Sequence, residues 1–283
     1  MSSAPLLLEL PVDIDATVGV ALAEDVGSGD VTATLLPAAR VCSARVVCRE
    51  AAVLAGAPWF DSVFRQLDPA VAVTWQFAEG ATLAPNDVVC RLHGPARAIV
   101  TGERTALNFL QTLSSTATVT QHYATALAET RTRILDTRKT VPGLRSAQKY
   151  AVRVGGGVNH RMGLFDAILI KENHIAAAGS ITAAVAALRA SHPALRIEVE
   201  VENMQELDEA LAIGVEMIML DNFDLTAMRA ATARVAGRAL VEISGGVEID
   251  ALASLGTVGA DFVSIGALTK NVRAIDFSMR IES

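Results

Sequence analysis

Aromatic residues make up only 4% of this 283-residue chain, and its isoelectric point lies near 5.3. Both facts disfavour nucleic acid as a ligand, because its binders usually combine a basic stripe with aromatic rings on which bases stack. Cysteine is scarce as well. Cys42, Cys48 and Cys90 form no CxxC pair, which argues against a disulfide framework or a zinc site of the paired-cysteine kind and reads as buried thiols. The longest uncharged apolar runs fall short of the roughly 18 residues that cross a bilayer. The opening MSSAPLLLELPVD has no basic flank and too short an apolar run for a signal peptide. Neither GxGxxG nor GxxxxGK(S/T) occurs, so a Rossmann or Walker phosphate cradle is not supported. The expectation is a soluble cytoplasmic protein with no nucleic-acid or membrane partner.

What is present is a local reversal of charge. Between Arg138 and Lys171 fall seven Lys or Arg residues, His160 and a single acid, Asp166, giving net +6 in a chain at −7 overall. Like charges packed together repel unless something negative offsets them, so the window predicts a small, multiply charged anion as ligand. Hydrophobic content of 51% is ample for a core. A length of 283 residues suits one large α/β barrel, or a barrel with a smaller companion domain.

From about residue 130 onward, β-branched runs alternate with helical stretches. The runs are RILD (133–136), DAILIK (166–171), RIEVEVE (196–202), EMIML (216–220), ALVEIS (239–244) and DFVSIG (261–266). The later ones start about 20 residues apart, the spacing of repeated βα units. Parallel strands with helical crossovers follow, in a closed or nearly closed barrel. The first 130 residues read as an α+β domain. They show a helix near 13–24, strands at 41–49, 71–77 and 87–92, a helix at 57–67, and two helices at 101–113 and 115–129. The closing IDFSMRIES alternates apolar and polar residues and is expected to return as a strand to the first domain.

In a parallel barrel the functional face lies at the C-terminal ends of the strands, and here those ends are polar. RILD runs into Asp136, Thr137, Arg138 and Lys139, and DAILIK ends at Lys171. Later strands run into Asp221, into Ser244, Gly245 and Gly246, and into Gly266. By the period of two, Glu198, Glu200 and Glu202 share one side of their strand. Three carboxylates turned into a barrel need cations or a metal to balance them. Glu198 could instead be a solvated or paired residue at the barrel bottom. Lys139 and Lys171 suit anion binding among so many cations, although a strand-end Lys can also form a Schiff base. The glycines at 155–157, just before His160 and Arg161, offer flexible backbone that could approach a ligand closely. The turns at Ser244–Gly246 and at Gly266–Lys270 fall where barrels place phosphate. Asp221 could pair a lysine, or join Glu200 in a two-carboxylate site for Mg²⁺.

Taken together, GERTALNFLQ, DTRKTVPGLR, GGGVNHRMGLFDAILIKENHI, EVEVEN, MLDNF and ISGG, with AEDVGSGDVT near the start, resemble the quinolinate phosphoribosyltransferase family over nearly the whole chain. The resemblance implies an α/β fold: an incomplete α/β barrel of parallel strands with an N-terminal sandwich domain. The domains would be residues 1–115, joined by 274–283, and residues 116–273. It implies a homodimer whose active sites are shared across the interface. Carried over, Arg104 from the neighbouring subunit, Arg138, His160, Arg161 and Lys171 would hold the carboxylates of quinolinate. Lys139 would lie between the substrates, touching phosphoribosyl pyrophosphate. Glu200 and Asp221 would hold the ribose hydroxyls and the cofactor Mg²⁺, and Lys139, Glu200 and Asp221 would be the catalytic set. Ser244, Gly245, Gly246, Ser264, Gly266 and Lys270 would receive phosphate. Two positions depart from the family pattern: Glu172 stands where Asp is usual, and Lys270 where His is frequent. The competing readings are a paralogue acting on another base, a Schiff-base aldolase and a non-catalytic anion binder.

Overall fold

The computed structural model describes residues 8–282; residues 1–7 of the MSSAPLLLELPVD opening, and Ser283 of the closing segment, lie outside the described residues. The chain begins with α1 (Ile14–Val26), β1 (Val41–Cys48), β2 (Ala52–Val53), α2 (Ala57–Leu67), β3 (Ala72–Trp75), β4 (Thr82–Leu83), β5 (Val88–Pro95) and α3 (Ala96–Ala126). It continues through β6 (Arg133–Leu135), α4 (Arg145–Val154), β7 (Ile168–Ile170), α5 (Glu172–Ala178), α6 (Ile181–Ser191), β8 (Ile197–Val201), α7 (Met204–Ala212) and β9 (Met217–Leu220). It ends with α8 (Leu225–Val235), β10 (Leu240–Ile243), α9 (Leu252–Leu255), β11 (Phe262–Ser264), α10 (Ala267–Lys270) and β12 (Phe277–Glu282). Two compact units result. The first comprises Met1–Gln121, Thr140–Gly156 and Leu268–Ser283; the second comprises His122–Lys139 and Gly157–Ala267. Residues 140–156, read from the sequence as part of the barrel, therefore group with the first unit.

The first unit is built on an antiparallel sheet in the order β12-β1-β5-β3. The C-terminal strand supplies its edge, with Val46 of β1 opposite Met279 of β12. Above it α2 starts at Gly56, which takes φ +107, a backbone region that only glycine enters cheaply. Its apolar residues at 59, 60, 63 and 64 fall on one face, and all four are fully buried. Phe60 meets Trp75 edge-on at 5.3 Å between ring centroids. Burial of each such ring contributes about 2–3 kcal/mol. Cys48 and Cys90 are buried and Cys42 half-buried, all as free thiols.

Where the sequence reading breaks one helix into two, at the Ser/Thr-rich 114–120, the structure has the single 31-residue α3. Its hydroxyls are absorbed without interrupting the backbone ladder. Thr118 and Thr120 donate back to the carbonyls of Ser114 and Thr116, and Ser114 donates to the carbonyl of Ala55. Among the described residues no helix is long and apolar enough to cross a membrane.

The second unit is a six-stranded parallel sheet in the order β6-β11-β10-β9-β8-β7. Every pairing in it is parallel, as repeated βα units require. Its helices begin at polar caps: Ser180, Asn203 and Asp224 accept from the backbone N–H three residues ahead. Val158 adds a bridge beside Leu135 of β6, and among the described residues β6 and β7 do not pair with each other. The barrel is thus open between them. All six strands run the same way, so their C-terminal ends deliver side chains to one rim.

Of the glycines at 155–157, Gly155 serves the packing of the first unit, Gly156 belongs to the same unit, and Gly157 falls in the second. A Cβ at Gly155 would stand 2.4 Å from the carbonyl oxygen of Ala117 in α3, a backbone atom that cannot step aside. Gly156 takes φ +88. Gly155→Ala should therefore lower stability by about 1–3 kcal/mol, read as a fall in the thermal midpoint; an unchanged midpoint would disprove the close approach.

Candidate active site

Asp136, at the end of β6, is fully buried. Its Oδ1 accepts the backbone N–H of His160 at 2.9 Å and its Oδ2 accepts the side-chain amide of Asn159 at 2.6 Å. These bonds, with the bridge at Val158, hold the 158–161 segment along the barrel interior. His160 is buried, and its Nε2 lies 2.6 Å from Glu198 Oε2 and 3.5 Å from Glu242 Oε2. Strand register accounts for the meeting. Glu200 pairs with Met219, and Met219 with Glu242, so β8 and β10 turn these acids to the same face.

A cavity of about 160 Å³ opens beside this cluster. Arg138, Lys139, His160, Arg161, Lys171, Ser244 and Ser264 line it, together with Asp136, Thr137, Leu169, Met219 and Glu242. Seven residues singled out from the sequence thus share one wall. Arg161 is half-buried; desolvation, and then the neighbouring Arg138 guanidinium, pull its pKa below the usual value. The buried Nε of Arg138 has no hydrogen-bond partner. Two guanidiniums held near each other with spare donors are what an anion relieves.

The remaining residues divide. Glu200 is buried and forms an ion pair with Lys171 Nζ, so two residues assigned separate roles are joined to each other. Gly266 makes room for Lys139: a Cβ there would stand 3.1 Å from Lys139 Cδ. Gly245 and Gly246 take φ +111 and +48, and a Cβ at Gly245 would lie 3.6 Å from Asp221 Oδ1. The Ser244–Gly246 turn and Asp221 therefore adjoin. Glu202 is exposed, and Glu172 and Lys270 are exposed too. Arg104 is an exposed residue of α3 in the first unit, and Lys270 also groups there. The basic window does not gather whole: Arg145, Lys149 and Arg153 are carried by α4 in the first unit, leaving Arg138, Lys139, Arg161 and Lys171 in the cavity.

One residue of the site was placed only in part by the sequence reading, and another escaped it. Glu198, weighed as a solvated or ion-paired residue of the barrel bottom, is only 2% exposed and is paired with His160. Glu242 was never singled out, although an acid inside the apolar LVEI run was the available signal. Burial raises the pKa of both carboxyls, and for Glu242 the charge of Glu198 adds to the rise.

The architecture and its motifs recur in known proteins. Profiles of the quinolinate phosphoribosyl transferase N-terminal and C-terminal domains match residues 30–114 and 116–280. The chain belongs to that family. It is 40% identical over 259 residues to the probable carboxylating nicotinate-nucleotide pyrophosphorylase of Bacillus subtilis, covering 91% of this chain and 90% of that one. It is 42% identical over 273 residues to the carboxylating nicotinate-nucleotide pyrophosphorylase of Mycobacterium leprae, covering 93% and 95%. The solved nicotinate-nucleotide pyrophosphorylase of Francisella tularensis superposes with a TM-score of 0.94 at 41% identity, covering 99% of this chain and all of that one.

Asp136 is the hinge pin of this family member's cavity. Asp136→Ala would remove the acceptor of the half-buried Asn159 amide and of the buried His160 N–H, the latter at about 1–3 kcal/mol. Chemical denaturation should show a loss of about 2 kcal/mol or more, and a midpoint equal to that of the parent protein would refute the assignment.

Proposed function

We propose that the protein transfers the phosphoribosyl group of phosphoribosyl pyrophosphate to quinolinate, releasing pyrophosphate and CO₂ and forming nicotinate mononucleotide for NAD synthesis. The observation that carries this reading is the convergence of Arg138, Lys139, His160, Arg161 and Lys171 on one cavity in a chain of this family. Quinolinate is a dianion and the sugar substrate carries several more charges, which suits a cationic wall in an otherwise acidic chain. The relatives named as carboxylating nicotinate-nucleotide pyrophosphorylases align over more than nine-tenths of this chain.

In this reading Arg138 and Arg161 hold the pyridine carboxylates, with Lys171 and His160 beside them. Arg104 comes from the partner subunit of a homodimer. His160 already gives its Nε2 edge to Glu198, so the guanidiniums carry most of the clamp. The ring nitrogen displaces pyrophosphate at the anomeric carbon through an oxocarbenium-like state, and Lys139 stabilises the charge between the substrates. N-ribosylation makes the ring cationic. The neighbouring carboxylate then departs as CO₂, and its bonding electrons stay on the ring carbon beside the positive nitrogen until a proton arrives. Orientation and fixed charge supply the acceleration, with little acid–base chemistry.

Glu200 and Asp221 suit Mg²⁺ because both offer only oxygen, from the ends of adjacent strands β8 and β9. When bound, the ion would neutralise the diphosphate leaving group. The same two carboxylates orient the ribose hydroxyls, and Lys171 pairs with Glu200. The Ser244–Gly246 turn, Ser264, Gly266 and Lys270 are assigned to phosphate.

Incubation of the pure protein with quinolinate, phosphoribosyl pyrophosphate and Mg²⁺ should yield nicotinate mononucleotide and CO₂; neither product appearing would overturn the reading. Arg138→Ala should weaken quinolinate binding by about 3 kcal/mol or more, since a desolvated charge loses its partner. Titration calorimetry reads this directly, and unchanged affinity would refute the clamp. Arg104→Ala and Lys139→Ala should each inactivate the homodimer, while mixed dimers recover activity. Absence of recovery after proven subunit exchange would count against the borrowed arginine.

A further inference from the structure

The cluster of His160, Glu198 and Glu242 is left only partly used by the proposed reaction, and its charges do not balance. Glu198 and Glu242 are 2% and 1% exposed. Among the described residues neither carboxylate has a lysine or arginine within ion-pair distance; the positive partner in reach of both is His160. Three of their four oxygens, Glu198 Oε1 and both oxygens of Glu242, are buried without a hydrogen-bond partner. The Ser264 hydroxyl and the Glu198 carboxyl lie beside Glu242, and neither brings it a positive charge. Buried carboxylates in that condition call for a cation.

The donors are placed for one. A ring nitrogen of His160 and one oxygen from each acid all lie within 4.8 Å of one another. We propose that His160, Glu198 and Glu242 form a site for one divalent transition-metal ion, zinc being the best match, on the floor of the cavity and distinct from the Glu200 and Asp221 carboxylates. An imidazole nitrogen with two carboxylate oxygens is a donor set that suits zinc and its neighbours, whereas Mg²⁺ prefers oxygen and retained water. No cysteine is needed. The ion takes the place of the hydrogen between His160 Nε2 and Glu198 Oε2. Those atoms move apart from 2.6 Å to the roughly 3.4 Å that separates two tetrahedral zinc ligands. Three protein ligands leave a fourth position open toward the cavity, whose wall includes His160 and Glu242.

The test uses the full chain stripped by a chelator and titrated with Zn²⁺ alone, without either substrate, so its result is independent of the reaction proposed above. Metal analysis after gel filtration should give one zinc per chain, and Co²⁺ in its place should give the visible absorption of a low-coordinate site. Glu242→Gln and His160→Gln should each weaken zinc binding at least about tenfold, with folding checked by circular dichroism. Asp221→Asn should leave zinc affinity unchanged. The proposal fails if the parent chain takes up no zinc. It fails equally if zinc binds but both cluster variants, correctly folded, retain the parent affinity. Should one variant fail to fold, the other decides.

Discussion

Asp136 lies out of solvent at the end of β6, where its two oxygens hold the backbone of His160 and the side chain of Asn159. His160 and the adjoining Arg161 take their place in the cavity from that anchoring. The 158–161 segment is not a strand of the sheet; it touches β6 through one bridge, too little to fix a loop that carries His160 and Arg161. A buried carboxylate costs free energy unless its oxygens are used, and here the use is positional. The loop gains a rigid seat, and the acid gains the donors that make its burial tolerable.

A second constraint is the sign of the charge on each layer of the second unit. The barrel interior holds acids, with Glu198, Glu200 and Glu242 all buried, while its rim holds Arg138, Lys139, Arg161 and Lys171. Lys171 and Glu200 link the two layers directly. Lys171 is thus held from below by fixed negative charge. An anion entering the cavity meets that cation already in place, and the reorganisation that binding would otherwise demand is reduced.

Much of this was legible in the chain itself. Each of the six β-branched runs became a strand, because parallel strands buried on both faces read as short apolar segments. The polar ends of those runs marked the rim, and Arg138, Lys139, Lys171 and Ser244, picked from them, line one cavity. What was not legible depended on distance between elements. The net charge of the 138–171 window could not tell that α4 carries three of its cations into the first unit. The Ser/Thr-rich stretch within α3 looked like a break because its hydroxyls can compete with a helix, and only the packing shows that they bond backward along it. Glu242 stayed hidden for the same reason: a lone acid in an apolar strand has meaning only once His160 and Glu198 stand beside it.

The pairing of β1 with β12 sets Val46 against Met279, 233 positions later, and the second unit is threaded between them. The two units are consequently unequal in the order of their assembly. From β7 to β11 the parallel strands can add one after another as each βα segment emerges, whereas the antiparallel sheet must wait for a distant partner before its edge is covered. Until then one flank of β1 presents unsatisfied amide and carbonyl groups, the condition under which nascent chains associate with their neighbours. Prompt maturation of the interposed barrel, which brings the tail back into reach, would protect the newborn protein from that fate.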